Sequence, residues 1–112
     1  MRWVIELYRE GTRVPVEEFL NSLDRQDRDK VTAKIDFLGE YGVALGPPHV
    51  KHLQGKLWEL RVTGRKQIRI LYFVRTGQRI ILLHGFVKKT QEVPRREIET
   101  ALTRMQKVER GG

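Results

Sequence analysis

Apolar residues change their spacing near residue 46, and the change divides a helical stretch from a strand-rich one. Trp3 to Tyr8 reads as a short strand. Pro15, within Arg13-Val14-Pro15-Val16-Glu17-Glu18, suits the first turn of a helix, where its missing N–H is not needed. Phe19, Leu20 and Leu23 give that helix an apolar face. From about Asp27 to Tyr41 the apolar Val31, Ile35 and Leu38 recur at spacings of four and three. Phe37 and Tyr41 lie beside them, and Arg28, Lys30, Lys34 and Glu40 fall elsewhere, which predicts an amphipathic helix. Leu45-Gly46-Pro47-Pro48-His49 then forbids helix and predicts a loop.

Beyond the loop the period shortens to that of strands. Leu57 to Val62, Gln67 to Arg75 and Arg79 to Val87 are separated by Thr63-Gly64-Arg65-Lys66 and Thr76-Gly77-Gln78, both short enough for hairpins, so an antiparallel three-stranded meander is predicted. Ile68 to Val74 and Ile80 to Leu83 are apolar on both faces over part of their length, which calls for helices on one side and partial shielding on the other. A last helix from about Pro94 to Val108 carries Ile98, Leu102 and Met105 on one face. The predicted fold is a small α+β one of order βααβββα, with the two N-terminal helices packed on one face of the sheet and a C-terminal helix closing the chain. Its 112 residues suffice for one core and not for two, so 1–112 is expected to be a single domain.

Composition narrows the chemistry. The 39% hydrophobic and 32% charged residues are those of a folded chain. The absence of cysteine removes disulfides, thiolate catalysis and cysteine-held zinc. No apolar run approaches the ~20 residues that span a bilayer, and Met1-Arg2-Trp3-Val4 does not begin a signal segment, so a cytoplasmic location away from membranes is expected. The net charge of +8 points to a polyanionic partner. Residues 1–50 hold seven Lys/Arg against nine Asp/Glu, and residues 51–112 hold fifteen against five, so the whole excess lies in the second half.

Strand alternation places part of that charge. Trp58, Leu60 and Val62 share the face that should meet the helices, which turns Glu59 and Arg61 to the other. If Ile68, Ile70 and Tyr72 join the core, Arg69 emerges on the same side as Arg61, one strand away. One of Lys88 and Lys89, at the end of the third meander strand, must project there too, and His49, Lys51, His52 and Lys56 precede the meander. A basic groove is the expectation, with Arg69 pointing into it so that truncating the side chain leaves the fold intact. Each residue alone has a plainer explanation: an arginine on a sheet face is commonly solvated or salt-bridged, paired lysines at a strand end protect an edge, His84 is hydrogen-bonded structure, and Trp58 and Tyr72 are core. Their convergence is what those explanations leave out. No HExxH, paired-aspartate or glycine-rich phosphate motif occurs, and His49 and His52 lack nearby carboxylates, so neither metal nor cofactor is expected.

The runs Gly55-Lys56-Leu57-Trp58-Glu59-Leu60-Arg61, Arg69-Ile70-Leu71-Tyr72-Phe73 and Leu82-Leu83-His84-Gly85-Phe86-Val87-Lys88-Lys89-Thr90-Gln91, followed by Pro94, Glu97-Ile98 and Ala101, resemble the phage-derived HigB-like branch of RelE-type toxins. The resemblance covers nearly the whole chain in order. It implies the RelE-like fold and a toxin of a type II toxin–antitoxin pair, an endoribonuclease that cuts messenger RNA on the ribosome and is silenced by a protein antitoxin. That antitoxin is expected to be a helix-turn-helix protein, with DNA reached only through it. On this resemblance Arg61 and Arg69 clamp phosphate, Lys56 is the basic residue before the meander, Lys88 and Lys89 are its basic end, and Lys51, Arg65, Lys66 and Gln91 contact RNA. Metal-free cleavage needs a base for the ribose 2′-OH, cations for the transition state and an acid for the leaving oxygen. A lysine crowded by cations loses its proton more easily and suits the first task, with His52 the other candidate. Toxins of the RelE type proper carry a tyrosine near the C-terminal end, and Val93-Pro94-Arg95-Arg96 has none. Two rivals stand beside this reading: a non-catalytic nucleic-acid-binding module, and a regulatory protein whose groove receives an acidic segment.

Overall fold

A computed structural model describes residues 2–111 of the chain. Strand β1 (Val4–Leu7) leads to helix α1 (Pro15–Ser22) and helix α2 (Arg25–Tyr41), a 3-10 turn spans Gly42–Ala44, and strands β2 (Val50–Gln54), β3 (Leu57–Thr63), β4 (Gln67–Arg75) and β5 (Arg79–Lys88) precede helix α3 (Arg95–Gly111). The α+β class, the meander and its helices follow the predicted pattern. The order differs at β2: Val50-Lys51-His52-Leu53-Gln54, expected to be loop, adds an antiparallel strand to the free edge of β3. β1 also pairs with β5 in parallel, so the sheet is mixed, in the order β1-β5-β4-β3-β2.

Local chemistry sets the helix ends. Pro15 opens α1, and the Asp24 carboxylate accepts from the Asp27 N–H to cap α2 two residues earlier than the apolar period suggested. Gly42 ends α2 at φ 55°, where the Trp3 ring lies in the place a Cβ would take, so both backbone and packing require glycine.

The sheet divides the apolar residues in two. One layer, under α1 and α2, gathers Val16, Val31, Leu38, Leu60, Val62, Ile68, Ile70, Ile80 and Leu82. The other, under α3, gathers Leu57, Leu71, Phe73, Ile81, Leu83, Phe86, Ala101 and Met105. Ala101 of α3 is fully buried. Both faces are therefore covered, which accounts for the two-sided apolar runs of β4 and β5. Among the described residues no helix is long and apolar enough to cross a membrane.

Candidate functional site

Register brings the site together. Lys51 stands opposite Glu59 across β2 and β3, and Arg61 stands opposite Arg69 across β3 and β4. Directly opposed residues project on one face with Cβ atoms about 4.5–5.5 Å apart, so these four side chains share the face that α3 covers in part. On β5, pairing passes from Leu71 with His84 to Tyr72 with Leu82, which leaves Leu83 as an extra residue. Without this bulge the alternation that sends Ile81 and Leu83 toward α3 would send Gly85 and Val87 there as well. With it, His84, Phe86 and Lys88 take that face, and Gly85 turns to the other, where Phe19 packs against it with no room for a Cβ. Lys88, opposite Gln67, is therefore the lysine that joins the arginines, while Lys89 lies exposed beyond the strand.

Arg69 departs from the expected open groove. It is 2% exposed and Glu59 is 1% exposed, so the middle of the cluster is a buried ion pair, Nε to Oε1 3.3 Å. Glu59 is thus the partner of Arg69, with Arg61 beside them. Arg69 also donates through Nη1 to the Ile68 carbonyl at 3.0 Å and through Nη2 to the Gln67 side-chain oxygen at 3.4 Å. Yet Glu59 Oε1, Arg69 Nε and Arg61 Nε are buried without a hydrogen-bond partner, and they are the unsatisfied buried side-chain atoms among the described residues. Glu59 Oε1 and Arg69 Nε answer each other as an ion pair at 3.3 Å without a well-aligned hydrogen bond, so Arg61 Nε is the atom left with neither, at a cost of about 1–3 kcal/mol.

The charge around them is lopsided. Burial holds the Arg69 guanidinium below its usual range, with Glu59 opposing and Arg61 adding to the shift. Lys88 is pushed down by burial first, then by repulsion from Arg69, with further repulsion from Arg61 and Lys51 and partial relief from Glu59. An amine placed among cations in this way gives up its proton more readily than a free lysine. Lys88 and Arg61 are half-buried and Lys51 is exposed, so a ligand reaches these three from solvent while Arg69 lies beneath.

Other expected site residues lie elsewhere. His52 faces Trp58 across the β2–β3 pair, ring centroids 5.0 Å apart, on the α2 side of the sheet, and its Nε2 sits 2.7 Å from the Gly55 carbonyl. Lys56 Nζ pairs with Glu109 of α3 at 2.8 Å. Arg65 and Lys66, in the β3–β4 turn, are held by the acidic start of α2: Arg65 to Asp24 at 2.8 Å and Lys66 to Asp27 at 3.2 Å. Gln91 is exposed in the segment between β5 and α3. None of these five joins the Arg61–Arg69–Lys88 cluster: opposed pairing turns His52 away, carboxylates hold Lys56, Arg65 and Lys66, and Gln91 lies beyond the strand. Among the described residues no group of three or more metal-ligating side chains converges.

His84 has the hydrogen-bonded role its surroundings suggested, and the sequence did not reveal its partners. Its Nε2–H donates to Glu97 at 2.7 Å, Nδ1 accepts from Arg104 at 3.2 Å, and the ring stacks on Phe86 at 5.6 Å. Arg104 also donates to the Leu83 carbonyl at the bulge, 2.9 Å away. The bulge and α3 are therefore tied by one network. Burial lowers the His84 pKa and outweighs the carboxylate of Glu97, which fits this neutral, doubly bonded ring.

A family model described as "Phage derived protein Gp49-like (DUF891)" matches residues 18–106, a stretch that contains the whole cluster. No curated protein matches the chain.

Proposed function

The chain belongs to the Gp49-like family of phage-derived proteins, a family associated with toxins of toxin–antitoxin pairs, and from that premise we propose that it is a RelE/HigB-type messenger-RNA endoribonuclease that works on the ribosome. The observation that carries the proposal is Lys88, an amine with a lowered pKa, beside Arg61 and above the buried Glu59–Arg69 pair. Lys88 in its neutral form takes the 2′-OH proton. The 2′-oxygen bonds to phosphorus as the phosphorus–O5′ bond breaks, leaving a 2′,3′-cyclic phosphate, and the new ammonium returns its proton to the departing 5′-oxygen. Arg61, with an unpartnered Nε, stabilises the charge that develops on the phosphoryl oxygens. Lys51 holds a neighbouring phosphate. Arg69 acts as a positioning residue: it keeps Glu59 paired and bears on Lys88 from below.

The test is cleavage of ribosome-bound messenger RNA by purified wild type, Lys88→Ala and Arg61→Ala, with ribosome binding measured in parallel. Each variant should lose ~100- to 1000-fold in cleavage rate, while binding, spread over many phosphate contacts, weakens only modestly. Wild-type protein that binds ribosomes and leaves the message intact would establish the non-catalytic module instead.

A further inference from the structure

On the other side of the sheet, α2 carries a second basic feature, which shares only Arg61 with the cluster. Lys30, Ala33, Lys34, Phe37 and Tyr41 fall within an arc of about 100° on an ideal helix, beside the stripe of Val31, Ile35 and Leu38 that enters the core. Asp29, Asp36 and Glu40 fall in a separate stripe, while Asp27, which lies a turn before Lys30, is buried and taken up by Lys66 at 3.2 Å. Between α2, the Pro48–His49 loop and the end of β3 runs a groove of about 500 Å³ lined by Lys30, Ala33, Lys34, Phe37, Pro48, His49, Arg61, Val62 and Thr63.

The lining contains no carboxylate. Among the described residues Lys30 and Lys34 have no acidic partner, and Lys34 Nζ donates only to His49 Nδ1, at 3.0 Å. Arg2, Arg13, Lys56, Arg65, Lys66, Arg79 and Lys107, by contrast, have carboxylates within 4 Å. Lys30 and Lys34 share their lack of one with other surface cations and differ from them in flanking an apolar groove. The floor is apolar, and the ridge continues past the groove through Tyr41, 46% exposed, to Val43, 68% exposed.

We propose that this groove docks an acidic amphipathic helix of a partner protein, its carboxylates at one-turn spacing against Lys30 and Lys34 and an apolar side chain between them over Ala33. Charge complementarity and the helical spacing of the ridge favour that occupant. Single-stranded RNA fits less well. It needs an open ring face on which to stack, whereas Phe37 is already held edge-on by Tyr41 at 4.9 Å and by His49 at 5.1 Å. The family's association with toxin–antitoxin pairs supplies a class of partner that a toxin must meet. The docking itself does not depend on the nuclease reading.

The experiment uses the full chain, isotope-labelled, and three probes: a synthetic amphipathic helix with Glu at i and i+4 flanking a leucine, the same peptide with Lys for Glu, and a uridine oligonucleotide. The acidic peptide should shift the amide signals of Ala33, Phe37 and Val62, and the Lys-for-Glu peptide should not. Lys30→Glu/Lys34→Glu should weaken the acidic peptide roughly tenfold or more at low salt. Ala33→Trp, which fills the groove and leaves charge unchanged, should block it. Absence of those shifts at millimolar peptide, equal binding of both peptides, or displacement of the acidic peptide from these residues by the oligonucleotide would each overturn the proposal. A wild type that does not cleave sinks the nuclease reading and leaves the peptide result standing.

Discussion

Arg69→Ala should destabilise this protein severely, so that lost activity in the variant would not by itself report on catalysis. The substitution leaves Glu59 in a site where 1% of its surface is exposed, and its only ion-pair partner among the described residues, 3.3 Å away, is gone. Removing one member of a buried pair costs about 3–5 kcal/mol, against a total stability of about 5–15 kcal/mol for a domain. At roughly 4–8 °C per kcal/mol for a domain of about 100 residues, melting should fall by ~12–40 °C. Replacing both members, Glu59→Leu/Arg69→Leu, removes the buried charge altogether and should restore stability to near the wild-type value. Thermal melts by circular dichroism of the wild type, Arg69→Ala, Glu59→Leu, Arg69→Leu and the double variant close the cycle. If Arg69→Ala melts within ~2 °C of wild type, or if the double variant is less stable than Arg69→Ala, the buried-pair account fails.

Two further outcomes follow from titrating groups. His84, lowered chiefly by burial, binds a proton less readily folded than unfolded, so between pH 6.5 and its folded value the unfolded chain holds more protons and stability falls as pH drops. Urea midpoints from pH 7.5 to 5.5 should show that fall in wild type and a flatter profile in His84→Gln; equal slopes would remove His84 from the account. If neutral Lys88 is the base, cleavage rises with pH, and relieving its cationic neighbours moves the rise to higher pH, more for Arg61→Ala than for Lys51→Ala, in the order of their repulsion. Residual cleavage measured across pH for each variant tests this, and an unmoved midpoint in both would reassign the base.

How much of this was legible in the sequence depends on whether a feature is set by neighbours along the chain or by what packs across it. The helices, the meander and the shared face of Arg61 and Arg69 follow from periodicity, a local property. β2 escaped because a five-residue edge strand beside a double-proline loop has too short a pattern, and its Val50 and Leu53 do not alternate cleanly: the register slips between His52 and Gln54. Arg69 was assigned the right face and the wrong exposure, since alternation says which way a side chain points and nothing of whether α3 and a carboxylate will close over it. Glu59 stood in the sequence between Trp58 and Leu60 with its face already fixed. Only its distance to Arg69 distinguishes a surface carboxylate from the buried anion around which the site is built. The bulge at Leu83 is the least readable feature and the most consequential, because one extra residue decides that Lys88 rather than Lys89 meets the arginines. Its cause lies in contacts from both sides of the sheet: Arg104 of α3 on the Leu83 carbonyl, and Phe19 of α1 in the space that only glycine at position 85 leaves open. A substitution at Gly85, remote from any charge, should therefore displace Lys88 by returning β5 to regular pairing or by expelling Phe19, which makes the placement of the basic cluster a property of the apolar core beneath it.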